Sequence, residues 1–284
     1  MAERDSSTTA LRVAQLRAAH LLLDGEPKIL DDWVALRLFD AATLEQIRAN
    51  TEALNAKWVM GLRSHVLLRS RYAEDRLAEA VRRGMGQYVI LGSGYDTFAY
   101  RQPEWARELK IFEVDHPASQ RAKRERLQAG GIEAPPNLEF VAIDFEHVSL
   151  RDGLAASGLD FGRPAFFSCL GVLVYLTAEA ADAVFRLAAS FPEMSEIVFT
   201  YSAPDSSLSA EEAARRATIN AMVEAMGEPW RTHFEPEALA QKLRDFGFSE
   251  VSFLKTAEAE ARYFQGRTDG LRAPRREPLV SAVV

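Results

Sequence analysis

The chain has 284 residues, of which 48% are hydrophobic and 26% are charged, the balance of an ordinary globular protein. Its net charge of −7 argues against a nucleic acid as the partner, because binding that polyanion needs a cationic surface. A lone cysteine, Cys169, excludes an intrachain disulfide, and we find no signal peptide and no apolar segment of about 20 residues that could span a membrane. We therefore expect a cytoplasmic protein built on one large α/β domain.

Helical patterns dominate the first part of the chain. Apolar residues recur at helical spacing from Thr8 to Leu23, and further helical patterns run over 33–50 and 52–84. Residues 1–9 are polar, and we expect them to be frayed. The sequence therefore predicts a helical region that ends before the first strand.

Strands and helices alternate in the rest of the chain. Predicted strands lie at 87–92, 110–115, 138–144, within 164–176, at 195–202 and at 248–254. Predicted helices lie between them at 97–108, 116–130, 178–191, 209–226 and 236–246. Residues 272–284 are expected to form a loose tail. This alternation is typical of an α/β protein with a doubly wound, mostly parallel sheet.

A glycine-containing turn follows the first predicted strand, in the stretch QYVILGSGYDTFAYR. Gly92 and Gly94 would let a ligand lie against bare backbone beyond the carboxyl end of that strand, where doubly wound sheets bind their ligands. Asp115 ends the second predicted strand, 21 residues after Gly94. An acid at this position can accept hydrogen bonds from both hydroxyls of a ribose. The glycines and the acid together predict a ligand that contains adenosine.

Two kinds of cofactor contain adenosine, and the turn favours one of them. A dinucleotide fingerprint needs a third glycine, but Thr97 stands at that place, and Asp96 adds a negative charge where a pyrophosphate would need amides. S-adenosylmethionine has no phosphate, and a carboxylate suits its ammonium group. We therefore expect S-adenosylmethionine as the cofactor, and a nicotinamide-dependent oxidoreductase stays open as the alternative.

A third acid, Asp144, ends the third predicted strand and directly precedes Phe145. Its carboxylate could accept a hydrogen bond from the amino group of adenine, and the neighbouring ring could cover the face of the base. A helix N-cap or turn role for Asp144 stays open beside this interpretation.

Several blocks of the chain, in order, resemble the leucine carboxyl methyltransferase family, in particular its bacterial branch that includes polyketide O-methyltransferases. These blocks are LRSRYAEDRL, VILGSGYDTFAYR, FEVDHPASQRAKRERL, FVAIDFE, RPAFFSCLGVLVYLT, GEPWRTHFEPEALAQKLRDFGF and YFQGRTDGL. The resemblance implies a class I methyltransferase sheet with an added helical N-terminal region and a substrate cap. On this basis we expect a helical region and cap at 1–84, and a methyltransferase core at 85–284 with a cap insertion around 204–235.

The resemblance also implies which residues bind the cofactor. Gly92 and Gly94 match the family's loop around the methionine moiety of the donor. Asp115 matches the acid that binds the ribose, and Asp144 with Phe145 matches the adenine contacts.

Three further positions carry expectations about the two substrates. Arg69 matches an arginine that binds the donor's carboxylate, and Arg71 stays open as its rival for that role. Tyr175 matches a tyrosine near the acceptor, although a structural hydrogen bond is an equally good reading. Leu170 departs from the pattern, because some relatives carry a glutamate there. This departure keeps open a protein that binds the cofactor without transferring its methyl group.

The chemistry of the acceptor decides whether a base is needed. A carboxylate, with a reference pKa of about 4, is already ionised near pH 7, whereas a phenol, with a pKa of about 10, gains from a general base. His233 is the candidate base, because the resemblance places its segment on the substrate cap. No pair of histidines has metal-ligand spacing on one helix, so we expect no metal. We expect a small-molecule acceptor, such as a polyketide, and a monomer or a homodimer.

Overall fold

A computed structural model of the chain describes residues 8–145, 147–204, 209–225, 227–275 and 279–284. The helices that precede the sheet are α1 (Thr8–Leu23), α2 (Trp33–Arg37), α3 (Ala41–Ala49), α4 (Thr51–Leu54) and α5 (Lys57–Arg82). The predicted helix from Thr8 to Leu23 is confirmed at both ends. The predicted helix over 33–50 is divided in two, because the side chain of Asp40 caps a new helix by accepting a hydrogen bond from the Thr43 N–H.

The described residues then form a seven-stranded sheet, with strands β1 (Gln87–Leu91), β2 (Lys110–Asp115), β3 (Leu138–Ala142), β4 (Phe166–Cys169), β5 (Glu196–Thr200), β6 (Glu250–Phe253) and β7 (Leu279–Val283). Their order in the sheet is β3–β2–β1–β4–β5–β7–β6. The first five strands pair in parallel, whereas β7 runs antiparallel to both β5 and β6. The prediction of a doubly wound, mostly parallel sheet is confirmed. The strand order reverses at β1, which lies between β2 and β4.

Both faces of the sheet are covered, as the nearly continuous apolar runs of its central strands require. The remaining α-helices of the described ranges are α6 (Pro117–Ala129), α7 (Leu150–Ala155), α8 (Ala178–Ala189), α9 (Ala210–Ala225), α10 (Pro236–Phe246) and α11 (Thr256–Ala259). Alternation within β1 divides the core: Tyr88 and Ile90 pack with residues of α5, whereas Val89 and Leu91 pack with residues of α7, α8 and α10. Cys169 is fully buried on the second of these faces.

The predicted helix over 97–108 is wrong. Two short 3₁₀ turns, Phe98–Tyr100 and Glu104–Ala106, lie there instead. Pro103 separates them, because its ring removes a backbone donor and disfavours helical geometry at the preceding residue. The Asp96 side chain, which accepts a hydrogen bond of 2.9 Å from the Phe98 N–H, also favours a turn over a helix.

The prediction of a loose C-terminal tail is also wrong. Residues 276–278 lie outside the described residues, but 279–283 form β7 between β5 and β6. Leu279, Val280 and Ala282 are completely buried, and the Val284 N–H donates to the carbonyl of Ser195 over 2.9 Å. The short apolar run LVSAV therefore completes the core, although polar residues precede it.

No helix in the described part of the chain is long and apolar enough to cross a membrane.

We predict that Leu279→Ala lowers the free energy of unfolding by about 2–5 kcal/mol, because truncating a fully buried leucine loses transfer energy and leaves a cavity. Urea denaturation followed by circular dichroism measures the change. Ser252→Ala, at an exposed position of β6, is the matched control and should change stability by less than about 0.5 kcal/mol. Equal stability of Leu279→Ala and the control would show that β7 is not part of the cooperative core.

Candidate functional site

One large cavity opens at the carboxyl ends of β1, β2, β4 and β5, where the strand order reverses. Its volume is about 1840 Å³, and its walls come from the sheet edge, from α1 and α5, and from segments 227–231 and 270–275. Most of the predicted site residues line this cavity, namely Arg69, Gly92, Gly94, Asp96, Asp115, Asp144, Phe145 and Tyr175. Residues far apart in sequence thus meet in one space at the place where doubly wound sheets bind ligands.

The turn after β1 depends on its two glycines. Gly92 and Gly94 have φ angles of 68° and 46°, in the left-handed region that residues with a Cβ rarely adopt. A Cβ on Gly92 would lie 2.4 Å from a methyl carbon of Val172, so this position has no room for a side chain. The N–H groups of Gly92 and Ser93 both donate to the carbonyl of Val114, which fixes the turn against β2. The turn therefore presents bare backbone to the cavity.

Asp115 is held in place by backbone amides at the end of β2. One carboxylate oxygen accepts a hydrogen bond from the Gly94 N–H, and the other accepts one of 2.7 Å from the His116 N–H. Burial raises the pKa of Asp115, although these two amide donors oppose the shift. Since a carboxylate offers about four lone-pair sites, the oriented group keeps acceptor capacity for a ligand.

Asp144 and Phe145 form the wall beyond β3. A carboxylate oxygen of Asp144 lies 2.8 Å from Nδ1 of His147 and 3.8 Å from Nε2 of His116. Phe145 is half-buried and packs on the core beside it. An acceptor group and an aromatic face thus lie side by side on the cavity wall.

Arg69 reaches the cavity from α5 and lies beside Gly171. A Cβ at position 171 would lie 2.4 Å from Nη1 of Arg69, so the glycine makes room for the guanidinium. Burial and then the charge of Arg17 lower the pKa of Arg69 to about 10, which Asp96 and Tyr175 partly oppose. Within the described ranges, no residue accepts a hydrogen bond from this guanidinium. It remains positively charged at neutral pH and faces the cavity.

Arg71, the other candidate for the same role, forms its hydrogen bonds outside the cavity. Its Nε donates to Asp75 over 2.9 Å and its Nη1 to the carbonyl of Ile29 over 3.4 Å. Arg71 is not among the residues that line the cavity. The structure therefore separates two arginines that the sequence left as alternatives.

Tyr175 ends a 3₁₀ turn after β4 and faces the cavity close to Arg69. Burial raises the pKa of its hydroxyl, and the nearby Trp230, Arg69 and Thr9 partly oppose the shift. The indole N–H of Trp230 and the hydroxyl of Thr9 face Tyr175 outside hydrogen-bond geometry, so both stay without a partner in the described part of the chain.

His233 does not lie where its predicted role as a base requires. Its side chain is exposed and is not among the residues that line the cavity. The neighbouring backbone explains this position, because the Thr232 N–H donates to Val174 and the Phe234 N–H donates to Ser202. Side chains alternate along this extended segment, so that Thr232 and Phe234 turn inward and His233 turns to solvent.

Aromatic residues near the cavity differ in their contacts. Phe234 packs against Phe185 of the core, and the Tyr263 hydroxyl donates to Asp75 over 2.9 Å, and neither ring lines the cavity. Trp230 lines the cavity, and Leu170 is one of its apolar wall residues.

Sequence reasoning missed two cavity residues, His65 and Glu228. His65 lies one helical turn before Arg69, and that i, i+4 spacing places both on one face of α5, which was a usable signal. Burial, followed by the charge of Arg69, lowers the pKa of His65 to about 3, so its ring is neutral. Glu228 lies in the block GEPWRTHFEPEALAQKLRDFGF, but the sequence gives no reason to single out this residue within it.

A chain of buried ion pairs fastens the N-terminal helices to this site. Arg17 of α1 donates to Asp32 over 2.7 Å and to the carbonyl of Tyr95 in the glycine turn. Arg101 lies 3.3 Å from the other oxygen of Asp32 and binds both oxygens of Glu74 on α5. The first turns of α1 are thereby held against the glycine turn, and a Cβ on Gly94 would lie 3.3 Å from that of Ala10.

Comparison with known proteins agrees with this geometry. The model of the leucine carboxyl methyltransferase family matches residues 10–189. YktD of Bacillus subtilis, named as an S-adenosyl-L-methionine-dependent methyltransferase, is 32% identical over 96% of both chains. A protein of Mycolicibacterium paratuberculosis with the same type of name is 33% identical over 70% of this chain and 61% of its own length.

Solved structures show the same fold at low identity. A DUF574 family protein from Streptomyces avermitilis has a TM-score of 0.56 and 17% identity, over 95% of each chain. A methyltransferase from Thermobifida fusca has a TM-score of 0.55 and 20% identity, over 99% of this chain and 95% of its own. The fold is that of the class I methyltransferases. The chain belongs to the leucine carboxyl methyltransferase family and is an S-adenosylmethionine-dependent methyltransferase.

The residues of the site fit that cofactor. The cradle at Gly92 and Gly94 would be filled by any side chain, and Asp115 is an oriented acceptor at the end of β2. Arg69 is a partly buried cation without a hydrogen-bond acceptor in the described ranges, which suits a carboxylate. These residues can bind a nucleoside, a carboxylate and an ammonium group, which are the polar parts of S-adenosylmethionine, and that cofactor has no phosphate to be bound.

We predict that His65 makes the fold sensitive to acid. Its folded pKa of about 3 lies below the usual 6.5, so its contribution to stability is complete above pH 6.5 and is lost as pH falls toward 3. The unfolding free energy should therefore fall between pH 7 and pH 5 less steeply in His65→Gln than in the wild type. The difference in slope should be at most about 1.4 kcal/mol per pH unit.

Denaturation with urea at several pH values measures this difference, and His233→Gln is the matched control, because His233 is exposed. The same pH dependence in His65→Gln and the wild type would contradict a buried, neutral His65.

Proposed function

We propose that the protein is an O-methyltransferase that transfers the methyl group of S-adenosylmethionine to a carboxylate or hydroxyl of a small molecule, such as a polyketide or another secondary metabolite. The size and continuity of the cavity carry this proposal. Pockets for one drug-sized ligand measure about 300–1,000 Å³. The cavity of about 1840 Å³ therefore has room for the donor and a small acceptor together.

The donor would occupy the half of the cavity at the sheet edge. We assign Gly92 and Gly94 to its methionine moiety, Asp115 to the ribose, and Asp144 with Phe145 to the adenine. The proximity of these groups at three neighbouring strand ends supports the assignment.

The charged end of the donor would lie between α5 and the glycine turn. We assign Arg69 to the carboxylate and Asp96 to the ammonium group. The two side chains interact electrostatically across the cavity, which supports a zwitterionic amino-acid group between them. The guanidinium suits a carboxylate because its planar donors can bind both oxygens.

The acceptor would occupy the half lined by Tyr175, Trp230 and apolar side chains. Met60, Leu62, Ile219, Val223 and Phe253 contribute to that apolar wall. Such a surface suits a largely apolar small molecule with few polar groups. Residues 1–84 and the insertion around 204–235 would act as the cap, although 1–7, 205–208 and 226 lie outside the described residues.

The protein's part in the reaction is to align the reactants and exclude water. S-adenosylmethionine supplies a methyl group on a positively charged sulfur. Arg69 and Asp115 would fix the two ends of that donor, while α1, held by Arg17, covers the glycine turn. Two substrates fixed in one enclosed space make the transfer effectively unimolecular.

We predict that Arg69→Ala and Asp115→Ala each lower the affinity for S-adenosylmethionine by roughly 10- to 100-fold, because each removes charged hydrogen bonds to the donor. Isothermal calorimetry measures the change. Arg71→Ala is the matched control for Arg69→Ala, since Arg71 pairs with Asp75 outside the cavity, and it should change affinity less than about twofold.

Wild-type affinity in both site variants would refute the assignment of the donor site. Binding of NADH in preference to S-adenosylmethionine, followed by fluorescence, would refute the choice of cofactor.

A further inference from the structure

Polar side chains without partners gather in the acceptor half of the cavity. The hydroxyl of Thr9, Oε2 of Glu228 and the indole N–H of Trp230 are buried atoms that have no hydrogen-bond partner among the described residues. All three side chains line the cavity, and all three act on the hydroxyl of Tyr175 strongly enough to affect its pKa. They come from α1 and from the segment after α9, so the fold brings them from distant parts of the chain to the same side of the cavity, near the Tyr175 hydroxyl.

Such atoms are rare in folded proteins, because burying a polar group without a hydrogen-bond partner is unfavourable. Here the unmatched set contains one group that can only donate, the Trp230 N–H, and one carboxylate oxygen, on Glu228, that accepts. The hydroxyls of Thr9 and Tyr175 can do either. A ligand that satisfies the set must therefore accept a hydrogen bond and donate one at nearly the same place.

A hydroxyl group meets this requirement. Its oxygen has two lone pairs and one proton. One lone pair can accept from Trp230, the proton can be donated to Glu228, and the second lone pair remains for attack on the methyl group. A hydroxyl therefore provides a partner for both the Trp230 N–H and the Glu228 carboxylate, and it keeps one lone pair for attack on the methyl group.

A carboxylate or an amine as acceptor does not meet this requirement. A carboxylate has no proton for Glu228 and would bring a second negative charge beside it, a repulsion that grows in a buried site. A neutral amine has a single lone pair, which cannot both accept from Trp230 and attack the methyl group. Of the charged side chains that act most strongly on the Tyr175 hydroxyl, Glu228 would repel a carboxylate and Arg69 is assigned to the donor.

We propose that the acceptor is a hydroxyl compound and that Glu228 is the catalytic base that receives its proton. In the transfer, the O–H bond breaks and its proton moves to Oε2 of Glu228. An electron pair of the oxygen forms the new C–O bond, and the methyl–sulfur bond of the donor breaks with its electron pair left on sulfur. The products are a methyl ether, a neutral thioether and a protonated Glu228, so atoms and charge balance.

This inference rests on the proposed function and chooses between the two acceptor classes that it leaves open. It also replaces His233, which is exposed, with a side chain of the cavity wall as the base.

The linkage of the transferred methyl group tests the acceptor class. The protein is incubated with donor labelled in its methyl carbon and with matched pairs of aromatic and long-chain aliphatic compounds that carry either a hydroxyl or a carboxyl group, together with their amines. Labelled products are then treated with hot alkali and identified by mass spectrometry.

We expect a methyl ether, which survives alkali. An alkali-labile methyl ester or an N-methyl product as the main product would overturn the inference while leaving methyl transfer to a small molecule intact. Donor binding without transfer to any compound would instead contradict the proposed function.

The role of Glu228 is tested with the hydroxyl compound that is methylated best. Glu228→Gln keeps the shape of the side chain but cannot take the proton, so kcat should fall about 100-fold or more, with donor affinity and melting temperature close to wild type. Glu228→Asp should recover part of the lost rate. Glu224→Gln, on the exposed side of α9, is the matched control and should keep the wild-type kcat.

A wild-type kcat in Glu228→Gln, or an equal loss in Glu224→Gln, would overturn the role of Glu228 as base. A fall in donor affinity that matches the fall in kcat would do the same, because it would indicate a structural role.

Discussion

The site depends on the buried ion pairs among Arg17, Asp32, Arg101 and Glu74, which join the helical wall of the cavity to the glycine turn. Burial opposes the charge on Asp32, yet Arg17 and Arg101 outweigh it and lower the pKa of Asp32, so this carboxylate stays ionised at neutral pH. Removing one partner of such a buried pair typically costs about 3–5 kcal/mol, because the other charge is left uncompensated. Through Arg17 the network also reaches the carbonyl of Tyr95. It thus joins the helical region to the glycine turn, beside the apolar packing of α1 against its neighbouring helices.

The helical region in turn gives the cavity two chemically different halves. The sheet edge supplies oriented backbone and carboxylates, which suit a nucleoside with an amino-acid tail. The helices supply Arg69, the orphaned hydroxyl of Thr9 and the apolar wall. Arg69 lies at the border, where its charge acts on Asp96 in one half and on Tyr175 in the other. A cation at this place can bind the carboxylate end of the donor.

Local patterns were sufficient to predict the fold and to place the candidate donor-binding residues at one edge of the sheet. Gly92, Gly94 and Asp115 stand at strand ends, where position along the chain nearly determines position in space. The 3₁₀ turns at 98–106 and strand β7 were missed, because Pro103 and a short terminal run have effects that only the tertiary context decides. Glu228 could not be found from sequence, since its role follows from which helices surround it. His233 was chosen for its chemistry, and the alternation of an extended segment turned it to solvent.

The most direct test of the account is a crystal structure with S-adenosylhomocysteine, the donor without its methyl group. We expect Asp115 to lie within about 3 Å of the ribose hydroxyls and the Arg69 guanidinium to bind the ligand's carboxylate. The adenine should lie against Phe145, and the sulfur should face the side of the cavity that holds Tyr175 and Glu228. A ligand bound away from the glycine turn, or one whose carboxylate does not contact Arg69, would contradict the account.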